Sequence, residues 1–189
     1  MLETLRDLLD LLFSLDLRTA EAVAALRTPL ATKVATSVTG LGSAAAAVVL
    51  LGLAYLAGWR EEFLTAAVAL SVTGVVVATL MGVVARPFPP QPVCDTGGAA
   101  TVATSFPSGH AAAVTVYALV ARRSETLPAG IVAGVAAVVA VSRVYLGTHY
   151  LTDTVAGVLI GVGAVLLARR LLARFWSLAL TRRYLPRLE

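Results

Sequence analysis

The sequence predicts an all-α, multi-pass transmembrane helical bundle of about five spans, or six, with an N-terminal amphipathic interfacial helix. Three observations predict it. Of 189 residues, 58% are apolar and only 14% charged, against roughly 25% charged in ordinary soluble domains. The mean hydropathy is +0.85. The charged residues bracket long apolar runs instead of being spread along the chain. This balance excludes a solvated globular domain, a disordered chain and a charged coiled coil. A net charge of +4 is compatible with nucleic-acid binding, but the basic residues form no face, so the expected partner is the lipid bilayer and no nucleic acid. Cys94 is the single cysteine, which excludes an intramolecular disulfide and a Cys-based metal cluster.

Residues 2–17 set Glu3, Arg6, Asp7, Asp10 and Ser14 at helical spacing opposite Leu5, Leu8, Leu9, Leu12 and Phe13. That pattern predicts a helix lying in the membrane surface; a span there would bury four acids. Residues 19–27 predict a second short helix, stopped by Pro29. Charge-free runs at 34–59 and 63–85 are each long enough for a hydrocarbon core that takes about 20 helical residues. Three shorter runs follow, at 108–121, 126–142 and 148–168, the last with Asp153 inside it. Gly130, Gly134, Gly157 and Gly161 stand four apart within these helices and predict close helix contact. The one sizeable loop is 86–107. The chain reads as one membrane-embedded domain over 1–189, with 1–30 an interfacial segment and 169–189 a basic cytoplasmic tail.

Alternating the spans puts Arg60, Arg122, Arg123 and the arginines at 169, 170, 174, 182, 183 and 187 on one side, nine of the fifteen basic residues. Basic residues favour the cytoplasmic side, so the C-terminus is expected there, in a cell membrane. The same alternation brings Arg86, His110, Arg143 and His149 to the outer surface. Asp153 follows His149 by four residues, one helical turn, so the two share a face. Ionisable groups at membrane depth are costly and usually functional.

Two guanidiniums offer a forked, permanent charge for phosphate oxygens. The stretch Phe106-Pro107-Ser108-Gly109-His110 puts a capping serine and a glycine at a helix start, where unpaired N–H groups favour an anion. His149 with Asp153 behind it reads as a base or nucleophile held in one tautomer, which leaves His110 as the proton donor. No carboxylate cluster offers to hold magnesium, so phosphoryl transfer without a metal fits. Each piece has a plainer reading: a helix cap for Ser108, a snorkelling helix end for Arg86, a structural pair for His149 and Asp153, interfacial anchors for Tyr145 and Tyr150. Their coincidence at one face favours chemistry.

Pro107-Ser108-Gly109-His110, then Ser142-Arg143, five residues, His149, three residues and Asp153, resembles the type 2 phosphatidic acid phosphatase superfamily of membrane lipid phosphate phosphatases, with Arg86-Pro87 similar to the end of its first motif. The resemblance spans residues 79–153. It implies a helical, metal-free and cofactor-free enzyme in which His149 is the nucleophile that forms a phosphohistidine, Asp153 orients it, and His110 protonates the leaving lipid oxygen. Arg86, Ser108, Gly109 and Arg143 would bind phosphate oxygens. The implied substrate is a polyprenyl diphosphate or a phosphatidic-acid or phosphatidylglycerol-phosphate type lipid, met at the outer face. A lipid phosphotransferase and a channel or transporter are the alternatives. The first-motif lysine position, seven before Arg86, is Thr79, and Lys33, on the same outer side, is the candidate substitute.

Overall fold

The structure is a computed structural model that describes residues 2–93 and 104–184. Cys94 and Arg187 lie outside the described residues, as do the side chains of Leu5, Leu9, Arg182 and Arg183. Among the described residues seven α-helices follow in chain order: α1 (Leu2–Ala25), α2 (Pro29–Thr39), α3 (Ala44–Leu56), α4 (Arg60–Val84), α5 (Gly109–Ala121), α6 (Ala129–Tyr145) and α7 (Leu151–Tyr184). A 3₁₀ turn, Gly40–Gly42, joins α2 to α3.

Helix α1 runs through the position where two helices were expected. Nothing between Leu17 and Glu21 breaks a helix, and the Thr19 hydroxyl returns to the Leu15 carbonyl at 2.7 Å. Pro29 starts a helix instead of stopping one. Thr28 caps α2, its side chain accepting from Ala31 N at 3.3 Å, and proline fills the first position, where no N–H is needed.

The run at 34–59 is likewise not one straight span. Pro29–Gly42 and Ala44–Leu56 meet at 58°, and Ser43 caps the second helix by accepting from Ala46 N at 3.1 Å. Gly42 explains the elbow. A Cβ there would stand 2.9 Å from His110 Cβ, so only glycine lets the turn rest against α5.

Helix α5 is the centre of the bundle despite its 13 residues. It packs on α4, α6 and α7 and buries Ala111, Ala112, Ala113, Val114, Val116, Val120 and Ala121. One apolar cluster joins Ala69 of α4 to Val116 and Val120 and to Ala164, Val165 and Ala168 of α7. In lipid, apolar burial gives little drive for helices to associate, so close packing of small residues must hold the bundle. Gly157 and Gly161 do this: a Cβ at Gly161 would stand 2.6 Å from the Ala112 carbonyl oxygen, and one at Gly157 would strike the Ser108 carbonyl. Gly130 and Gly134 do not, since nothing lies within 4 Å of the space a Cβ would take.

Among the described residues, α4 and residues 151–175 of α7 are long and apolar enough to cross a membrane, and the bent α2–α3 pair adds a third candidate. Helices α5 and α6 are apolar but shorter, α5 reaching only about 20 Å at 1.5 Å per residue. The segment expected as a tail from 169 is helical through Tyr184. At the end of the bundle holding the start of α4, Arg60, Glu61, Glu62, Arg123, Ser124 and Arg169 surround a cleft of about 520 Å³. Both histidines lie at the opposite end.

Candidate active site

The start of α5 is sewn to the start of α7. Ser108 is fully buried, its side chain accepts from Ala111 N at 3.3 Å, and its N–H donates to the Asp153 carbonyl at 3.0 Å. Only a glycine at 157 permits this approach. The preceding segment is anchored across the end of α4, with Ser105 N donating to the Arg86 carbonyl at 2.8 Å and Ser105 Oγ donating to the Pro87 carbonyl at 3.0 Å. Two helix N-termini therefore open side by side, and such N-termini favour anions.

His149 stands in the turn between α6 and α7. Gly147 takes the left-handed conformation, φ +69, and the chain doubles back so that Thr148 N, Thr148 Oγ1 and His149 N all donate to the Arg143 carbonyl, at 3.1, 3.1 and 3.3 Å. His149 is 6% exposed. Its Nδ1 meets the Ser105 carbonyl oxygen at 2.5 Å. A carbonyl only accepts, so the proton sits on Nδ1 and the Nε2 lone pair is left for chemistry. The sequence predicted Asp153 in that place. Asp153 Oδ2 is 4.0 Å from Nδ1, too far for a hydrogen bond, though near enough to act on a charged ring. Burial, and then the charge of Arg143, push the imidazole down to about 3 against the Ser105 bond, so it is neutral at ordinary pH.

Arg143, at the end of α6, is 8% exposed and donates from Nη1 to Thr39 Oγ1 at 2.8 Å. Its charge bears on both imidazoles. His110 is half-buried against Gly42. Arg86 follows α4, whose last turn ends at Ala85 in the left-handed region, φ 44. Its guanidinium lies 4.0 Å from the Tyr150 ring centroid and donates to Asp153 Oδ1 at 2.5 Å, to Thr152 Oγ1 at 2.9 Å and to Asp16 Oδ2 at 2.8 Å. Asp153 Oδ2 in turn accepts from Tyr150 N at 2.8 Å, capping α7.

All seven residues singled out from the sequence, Arg86, Ser108, Gly109, His110, Arg143, His149 and Asp153, thus fall at one end of the bundle. Gly109 has only an ordinary neighbour, Val77 at 3.5 Å from a Cβ. Thr79 is exposed, its hydroxyl turned back to the Val75 carbonyl at 2.8 Å. Lys33 is exposed on α2, and the α2 side chain that reaches Arg143 is Thr39. Tyr150, expected as an interfacial anchor, is the platform under Arg86. Among the described residues, no three His, Cys, Asp or Glu side chains gather as a metal site.

Sequence reasoning missed Ser105, Thr39, Thr152 and Asp16. Ser105 acts through its main chain and leaves no residue-type signal. Asp16 did leave one: it falls three residues after Phe13 and four after Leu12, in the middle of the apolar stripe of α1, where a carboxylate has no reason to be unless something meets it.

Fold and site together define an all-helical membrane bundle whose two histidines meet at one end. The chain belongs to the PAP2 superfamily, whose family model matches residues 62–177. It is 34% identical over 118 residues to the decaprenylphosphoryl-5-phosphoribose phosphatase of Mycobacterium tuberculosis, a match over 61% of this chain and 66% of that protein, slightly under two thirds of its length. The crystal structure of a transmembrane PAP2-type phosphatidylglycerolphosphate phosphatase from Bacillus subtilis is similar with a TM-score of 0.74 at 24% identity, covering 86% of this chain and 87% of that one. That of Aquifex aeolicus LpxE gives 0.68 at 24%, covering 82% and 95%. Both likenesses concern the fold.

Proposed function

We propose that the protein is a metal-independent lipid phosphate phosphatase that works through a phosphohistidine on His149. The observation that carries this reading is the bond from His149 Nδ1 to the Ser105 carbonyl, which leaves Nε2 as an unprotonated nucleophile beside Arg143 and His110. The Nε2 lone pair attacks phosphorus and the bond to the lipid oxygen breaks, its electrons going to that oxygen as His110, protonated when the phosphate dianion binds beside it, gives it a proton. Positive charge appears on the His149 ring as the N–P bond forms, and the Asp153 carboxylate, 4.0 Å away, stabilises it. Water then attacks phosphorus and gives a proton to His110, the N–P bond breaks, and inorganic phosphate leaves. Arg143, the Ser108 hydroxyl and the Gly109 N–H at the opening of α5, and Arg86 hold the phosphate oxygens, placed where charge grows in the transition state.

The substrate is a lipid phosphate monoester or diphosphate. The name of the mycobacterial relative supports a polyprenyl tail over a diacylglycerol one. The gathering of Arg60, Arg123 and Arg169 at the opposite end supports a site toward the outer face and a cytoplasmic C-terminus.

The test is phosphate release in detergent from polyprenyl mono- and diphosphates, phosphatidic acid and phosphatidylglycerol phosphate, each with and without EDTA. Release is expected to survive EDTA, to be inhibited by vanadate, and to fall by at least about 10³-fold in His149→Ala, in line with loss of a covalent nucleophile. A short reaction with lipid substrate labelled in its phosphate, quenched in alkaline detergent because a histidine N–P bond is lost in acid, should leave label on the wild-type protein and none on the variant. Wild-type release abolished by EDTA, or retained in His149→Ala, would refute the mechanism. Label passing to another lipid in place of water would mark a phosphotransferase.

A further inference from the structure

The carboxylate of Asp16 is 3% exposed, although α1 leaves Leu8, Leu11, Leu12, Phe13, Leu15 and Leu17 exposed around it. It reaches two residues of the site and no others among the described hydrogen bonds. Oδ2 pairs with Arg86 Nη2 at 2.8 Å and accepts from Thr152 Oγ1; Oδ1 accepts from Thr152 N at 3.1 Å. Thr152 N is one of the first amides of α7, which have no acceptor within their own helix. Asp16 therefore caps α7 from another helix and at the same time holds one end of the Arg86 fork, whose other end holds Asp153. Phe13, one turn earlier on α1, covers the guanidinium at 5.3 Å.

We infer that Asp16 is a positioning residue of the active site, acting through Arg86 and Thr152, and that α1 is a working part of that site as well as a membrane-surface helix. The inference rests on the phosphatase reading for its kinetic consequence, while the geometry stands without it. A carboxylate on the apolar stripe of a surface helix is costly, and leucine would serve a purely anchoring role better. The charge sequence Asp16, Arg86, Asp153 alternates in sign, so each group fixes the next. Removing Asp16 frees the Arg86 fork to pivot about Asp153, and loosens the turn of α7 that follows His149.

The test uses the full chain in detergent. Asp16→Asn keeps an acceptor for Thr152 N but ends the ion pair with Arg86. It is expected to lower kcat at least tenfold with KM changed less than threefold, because the network acts on the orientation of reacting groups. Asp16→Glu recovers part of the loss, and Asp16→Asn added to Arg86→Gln costs less than twofold beyond Arg86→Gln alone. A merely structural anchor would give additive losses. Independently of turnover, Asp16→Ala should speed hydrogen exchange at the Thr152 amide at least tenfold. A kcat within twofold of wild type in Asp16→Asn, additive losses in the double variant, or unchanged exchange at Thr152 would each overturn the inference. Absence of phosphate release from the wild type would instead overturn the phosphatase reading, and the exchange measurement would then decide the role of Asp16 alone.

Discussion

Replacing Gly157 by alanine adds one methyl group where α7 crosses the start of α5. The new carbon would stand 3.1 Å from Ala111 Cβ and 3.2 Å from the Ser108 carbonyl carbon, and closer still to the Ser108 carbonyl oxygen. Carbon contacts settle near 3.5–4.0 Å, so the helices must part by roughly 1 Å. The obstacle is backbone, which cannot swing aside. Alanine in a helix interior gains about 0.5–1 kcal/mol over glycine, while overpacking costs about 1–3 kcal/mol. The net loss is about 1–2 kcal/mol, a fall of some 2–8 °C in Tm for a chain of this size. Because the displaced residues are Ser108 and, two further on, His110, activity should fall more steeply than stability, by about 10²-fold. Gly163→Ala is the control: it lies on the same helix with nothing within 4 Å of its Cβ position, and it should be neutral or slightly stabilising. Thermal melting and phosphate release from the two variants, side by side, decide the matter. If Gly157→Ala matches Gly163→Ala in both, the close approach of α5 and α7 is not what positions His110.

Thr39→Val removes the acceptor that Arg143 Nη1 uses at 2.8 Å. A hydrogen bond to a charged group is worth about 1.5–3 kcal/mol, so kcat/KM should fall by about tenfold or more, with Thr39→Ser near wild type; equal activity of the valine and serine variants would refute the role. The pH dependence of stability has a definite sign. His149 stays neutral in the folded protein down to about 3, whereas in the unfolded chain it takes a proton near the ordinary histidine value of 6.5. Through that window the unfolded state binds more protons, and stability falls as pH falls. Tm should therefore drop between pH 7 and 4.5, and drop less in His149→Asn; identical slopes would show that His149 is not the buried neutral group.

The apolar runs made the helices legible because lipid demands length and apolarity at once, and all five runs are helical. The elbow at Gly40–Gly42 was hidden inside one of them: hydropathy does not register a bend, and the reason for the bend is His110, far along the chain. The site was legible where side chains carry it. His149 and Asp153 fall one turn apart, and Arg86, His110 and Arg143 sit at helix ends on one side, so alternation alone brings them together. It was illegible where the main chain carries it. Asp153 was assigned to His149 because spacing offers it, but the Ser105 carbonyl is the nearer acceptor and Arg86 claims the carboxylate. The pairing of Arg86 with Asp16 links positions 70 apart, and only the misplaced acid on the stripe of α1 hints at it.

The partner of His149 Nδ1 has a bearing on inheritance. Every residue type brings a carbonyl, so no single codon change at position 105 can delete the group that fixes the tautomer. Random variation will therefore spare this feature while striking Arg143, Asp153 or Gly157, and a screen of point variants will under-report its importance. Insertions or deletions between Pro87 and Pro107, which would move the carbonyl without changing what it is, are the lesions to which the His149 ring is exposed.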